Sequence, residues 1–95
     1  MKYCVYMSKI LRGLKKRGGE LGTYSTKEEA MSTINNHISD LMNRYNTNIF
    51  EISPMTKDKN NSTERLRGRI CERTPKQGRL RSIMDWEFVI FPVGD

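Results

Sequence analysis

The stretch Arg65-Leu66-Arg67-Gly68-Arg69-Ile70-Cys71-Glu72-Arg73 alternates cations with small or apolar residues. In an extended chain every second side chain shares a face, about 6.6 Å apart. Leu66, Gly68 and Ile70 then point toward a core, while Arg65, Arg67, Arg69 and Arg73 point away from it. A strand over 64–73, a turn at 74–78 and a long strand to about Val93 make a hairpin. With that turn, Arg73 is expected opposite Arg79, Gly68 opposite Met84 and Leu66 opposite Trp86. Arg67 then faces Asp85, and Arg65 faces Glu87. Leu80, Phe88 and Ile90 join the core face, where Gly68 leaves room for a helix to approach.

The helix is read upstream. Ser25 and Thr26 meet Glu28 and Glu29 three residues on, a pair of overlapping capping boxes. Ala30, Met31, Ile34, Ile38, Leu41, Met42 and Tyr45 follow at spacings of three and four, which predicts an amphipathic helix over 26–44. Residues 2–8 read as a first strand, 9–20 as a glycine-containing basic segment forming a flexible loop or hairpin tip, and 21–24 as a short returning strand. Residues 48–53 read as another strand and 54–63 as a polar loop. The sum is one α+β domain: an antiparallel sheet of four or five strands with the helix packed on one face.

The chain has 95 residues, a net charge of +6 and a pI near 9.6. That charge is concentrated in 9–20 and in 57–81, on an otherwise mildly acidic body, and such asymmetry favours anionic partners. No apolar run reaches membrane-spanning length and the amino terminus shows no signal pattern, so a cytoplasmic location in the host cell is expected. Two cysteines and one histidine, far apart in sequence, offer no metal-ligand spacing and no nucleophile pair. Asp85 and Glu87 share a strand face, where arginines opposite hold both ionised. No cofactor and no catalytic constellation is expected.

The candidate binding residues are therefore cations: Arg65, Arg67, Arg69, Arg73, Lys76, Arg79 and Arg81 on the hairpin, and Arg12, Lys15, Lys16 and Arg17 on the basic loop. Arg65 and Arg67 have acids opposite. Arg69, Arg73, Arg79 and Arg81 are expected to lack them and to gather toward the turn. Cys71, Ile83, Val89 and Phe91 share their face, with Cys4 and Tyr6 beside them. Arginines interleaved with apolar and aromatic groups suit a protein interface as well as nucleic acid.

The segment Leu21-Gly22-Thr23-Tyr24-Ser25-Thr26-Lys27-Glu28-Glu29-Ala30 is similar to the strand-to-helix step of AP2-type and arm-type integrase DNA-binding domains. That resemblance implies a sheet that reads DNA, braced by a helix. In those families the sheet precedes the helix, whereas here the arginine hairpin follows it, so no contact residues carry over. In general character the chain resembles small phage accessory proteins of the anti-CRISPR and anti-defence type. That implies a non-enzymatic inhibitor or adaptor engaging a host protein or nucleoprotein complex, such as a CRISPR effector, through the basic sheet face. Direct binding of DNA or RNA by the arginine hairpin and the 12–17 loop is the second expectation. A homodimer joined through edge strands or the open face is the third.

Overall fold

A computed structural model describes residues 1–11, 17–59, 62–74 and 78–94. Lys2–Leu11 (β1) and Arg17–Tyr24 (β2) form a first hairpin, followed by Lys27–Arg44 (α1), Ile49–Ile52 (β3), Thr56–Lys57 (β4), Glu64–Arg73 (β5) and Leu80–Val93 (β6). The strands make one antiparallel sheet in the order β2-β1-β6-β5-β3, with the two-residue β4 also on β5. The fold is thus α+β, with six strands and one helix among the described residues. The sixth strand is β4, which lies in the stretch read as a polar loop. Of the two readings of 9–20, the hairpin fits: β1 runs to Leu11, β2 starts at Arg17, and the two pair.

Thr26 caps α1: its Oγ1 accepts a hydrogen bond from the Glu29 N–H at 3.2 Å. Glu28 and Glu29 face the positive end of the helix dipole and Arg44 the negative end. Ala30, Ile34, Ile38 and Leu41 are buried against Val5, Leu66, Ile70, Met84, Trp86, Phe88 and Ile90. Met42 departs from the expected stripe and is 47% exposed, because it lies one position and about 100° past Leu41. Lys27 binds Glu64 at 2.5 Å and ties the start of the helix to β5.

The β5–β6 register differs from the expected one by two residues. Leu66 faces Phe88, Arg67 faces Glu87, Gly68 faces Trp86 and Ile70 faces Met84. Two separate one-residue changes produce this shift. The turn is longer, so Arg73 faces Leu80 and Gly78 takes a left-handed φ of +64°. Ile83 then bulges, since Ile70 pairs with Met84 and Cys71 with Ser82. A shift of two keeps Leu66, Gly68 and Ile70 on the core face. Between the turn and the bulge the offset is only one, which exchanges the faces of β6 there. Leu80 therefore turns away from the core and is 40% exposed, while Ile83 packs against the core cluster.

Gly68 is needed for a different reason than helix approach. The Trp86 ring lies over it, and an added Cβ would sit 2.2 Å from Trp86 Cζ2. The indole is 2% exposed and meets Phe88 edge-on, with centroids 5.5 Å apart. The glycine is the slot into which the largest core side chain fits.

Candidate functional site

The outer face of the sheet, opposite the helix, carries Arg65, Arg67 and Arg69 as expected, and each is paired. Arg69 donates from Nε and Nη2 to the two carboxylate oxygens of Glu51, at 3.0 and 3.3 Å. Arg67 Nε donates to Glu87 Oε2. Arg65 Nη1 reaches the other Glu87 oxygen at 3.4 Å, and its Nε lies 3.7 Å from Asp58. The hydrogen bond and charge of Glu51 hold the Arg69 guanidinium above its ordinary pKa. Arg69 therefore does not lack an acid. Its partner comes from β3, whose register places Glu51 directly opposite. Nor do Arg67 and Arg65 sit across from Asp85 and Glu87 respectively: Glu87 serves both arginines, and Asp85 accepts from Ser82 Oγ at 3.1 Å.

A different set of cations gathers at one end of the sheet. β1 ends its pairing with β6 at Leu11–Met84, so the β1–β2 and β5–β6 hairpins project from the same end. Strand alternation from buried Val5 places Lys9 on the helix side, and Arg17 lies directly across from it. The Ile83 bulge brings Arg79 and Arg81 to that side too, while Arg73 stays on the outer side with Leu80. This corrects the expectation that Arg73, Arg79 and Arg81 share one face and that Arg73 opposes Arg79. Arg81 is not without an acid either, since it binds Glu72 across the ladder. Arg73 Nη1 donates to the Gly78 carbonyl at 3.3 Å. None of the ion pairs among the described residues engages Lys9, Arg17, Arg73 or Arg79. Arg12, Lys15, Lys16 and Lys76 lie outside the described residues; in sequence they fall between Leu11 and Arg17 and between Thr74 and Gly78.

The rest of the outer face is partly apolar. Tyr6 stacks on Phe91 with centroids 5.6 Å apart, and Tyr6 and Ile10 are 43% and 38% exposed. Cys4 is buried and its thiol donates to Glu20 at 3.0 Å. Burial pushes the thiols of Cys4 and Cys71 up, with neighbouring Glu20 and Glu51 adding to it. Both are poor thiolates as a result. His37 is half-buried with its ring 6.1 Å from Phe88. No cluster of three or more His, Cys, Asp or Glu suited to a metal ion occurs among the described residues. None of the helices described is long and apolar enough to cross a membrane.

Lys9 is the member of the cationic end that sequence reasoning left out. Carrying the Val5–Met7 alternation two residues further would have found it, had the first strand not been ended at Ser8. Glu51 was missed as a neutralising partner because β3 had not been registered against β5, and Glu72 because the expected β5–β6 register set it opposite Leu80 instead of Arg81. Comparison with known proteins gives no matching family model, no similar curated protein and no similar solved structure.

Proposed function

We propose that the chain is a non-enzymatic nucleic-acid-binding protein of the cytoplasm, and that it engages phosphates through the hairpin end of the sheet. The observation that carries this reading is the convergence of Lys9, Arg17, Arg73, Arg79 and Arg81 at one end, where Arg81 is paired with Glu72. Guanidinium groups neutralised by carboxylates, like those along the outer face, release no counterions on meeting DNA. Groups without such partners do. Four to five contacts imply a log–log salt slope of about −3.6 to −4.5, at about −0.9 per phosphate on duplex DNA. Fluorescence anisotropy with labelled oligonucleotides between 25 and 300 mM salt (a range of order 10-fold) measures that slope. Absence of binding to any duplex or single strand at the lowest salt overturns the reading.

A second reading is supported by the outer face. There Tyr6, Phe91, Ile10 and Val89 adjoin paired arginines, a mixture of the kind found in protein interfaces. On it the chain is an inhibitor or adaptor from a mobile element that engages a host nucleic-acid-handling protein or nucleoprotein. Affinity purification from host lysate, with and without nuclease, separates the two. Capture of one host protein that survives nuclease and is lost in Tyr6→Glu supports this second reading; capture abolished by nuclease supports the first.

A further inference from the structure

We infer that the outer face of the sheet is closed by a second copy of this chain, stacked face to face about a two-fold axis that runs along the strands between β1 and β6. Such a dimer leaves the cationic end free and takes the surface that a host protein would use, so it goes beyond both readings above. Strand alternation from the buried Val5, Leu66 and Phe88 assigns the outward side chains. Between the Lys2–Val93 rung and the Ile10–Asp85 rung, Lys2, Arg65, Arg67 and Arg69 point outward. Glu20, Glu51, Asp85 and Glu87 share that face. A chain of net charge +6 thus carries one face whose strand cations and strand carboxylates balance. A balanced face draws in no polyanion and does not repel its own copy.

The register makes this face complementary to itself. One rung crosses the sheet in the order Glu20, Tyr6, Val89, Arg65. The two-fold keeps each rung at its height and reverses the strand order. It therefore sets Tyr6 over Val89 of the second copy and Arg65 over Glu20 of the second copy, and each contact occurs twice. Glu20 accepts from Cys4 Sγ at 3.0 Å and from Thr23 Oγ1 at 3.3 Å, both on Oε1, so Oε2 is the oxygen offered to that guanidinium. The Tyr6–Phe91 stack, with Tyr6 43% exposed, lies beside the axis, at the centre where interface anchors cluster. Four strands of about nine rungs give a footprint of roughly 30 by 19 Å, or about 1,100 Å² for the two copies. That meets the ~1,000 Å² expected of a specific interface. The β2 edge suits self-pairing less well: Val5 pairs with Gly22 and Tyr6 with Glu20, so Leu21 bulges, a break that blunts an edge.

Sedimentation of the nucleic-acid-free protein from about 1 μM to about 1 mM tests this. The mass is expected to rise from 11.1 kDa toward twice that value. Tyr6→Glu puts a charge beside the axis in both copies and is expected to weaken association on the order of 10²-fold, with an unchanged circular dichroism spectrum. Arg65→Glu and Glu20→Arg each set like charges against each other at both contacts, and each alone is expected to lose about 10-fold or more. Mixed one to one, the two variants exchange charges and restore both contacts, so the mixture is expected to regain the wild-type affinity. A monomer over the whole range overturns the dimer. A dimer that Tyr6→Glu leaves intact, or a mixture that associates no better than its components, overturns the face-to-face arrangement. The nucleic-acid reading is tested separately by its salt slope and survives either result.

Discussion

The middle of the β5–β6 hairpin and its end are built from the same residue types and reach opposite electrostatic outcomes. In the middle, Arg65, Arg67 and Arg69 stand between two flanking strands, and Glu87 and Glu51 arrive from those strands to meet them. At the end no described strand flanks the hairpin, and none of the ion pairs among the described residues engages Arg73 or Arg79. Guanidinium groups with sheet neighbours become part of the sheet's own cross-strand pairing. On the proposed function, those without such neighbours are the ones that meet an outside anion. Position in the ladder, more than residue type, sets which carboxylate an arginine of this hairpin meets, as Glu51 for Arg69 and Glu72 for Arg81 show.

The sharpest break of that comparison is a glycine swap in each region. Gly68→Ala forces a methyl into the Trp86 ring and is expected to cost about 3 kcal/mol, seen as a large fall in denaturation midpoint. Gly78→Ala meets no neighbouring atoms and costs only about 1 kcal/mol for its left-handed φ. Similar losses at both sites would mean that the end is packed as tightly as the middle. Next in size, reversing Arg17 and Arg79 together to glutamate removes two phosphate contacts. A slope near −0.9 makes each worth about 15-fold at 50 mM salt, so affinity should fall by on the order of 10²-fold with stability unchanged.

Glu87→Gln sharpens the contrast from the other side. It leaves Arg65 without its closest acid and Arg67 without one, so stability should drop by about 1 kcal/mol. Nucleic-acid affinity should rise several-fold if neutralisation is what silences the middle; an unchanged affinity would show that shape rather than charge excludes it. The smallest effect is on pH dependence. The Cys4 and Cys71 thiols have folded pKa values raised above their unfolded ones, chiefly by burial. The neutral form is therefore favoured in the fold, and the stabilisation is complete below about pH 8.5 and lost as pH rises through the folded values. Denaturant midpoints should decline from pH 8.5 upward, and less so in a Cys4→Ala/Cys71→Ala variant.

Much of this architecture is legible in the residues. The helix stripe Ala30, Ile34, Ile38 and Leu41 and the core alternation Leu66–Ile70 and Met84–Ile90 follow from period alone, because each buries one face against the other. What periodicity does not contain is offset. The extra turn residue and the Ile83 bulge leave no compositional mark, yet together they decide which carboxylate each arginine meets and on which side Arg79 and Arg81 stand. Glu51 was hidden for the same reason: four residues of β3 do not announce which rung of β5 they will join. The cationic end was legible as charge density and illegible as geometry, because it depends on two hairpins finishing at the same edge.

The Ile83 bulge has a consequence for how such a protein can diverge. Side chains in a strand repeat every two residues, so insertions or deletions in the 74–79 turn should act by parity. Changes in even steps would lengthen or shorten the hairpin and keep its orientation. Odd steps would rotate its guanidinium groups to the reverse side, while the Gly68–Trp86 lock below stays untouched. The orientation of the hairpin end could thus drift by small indels at the periphery, uncoupled from the selection that preserves folding.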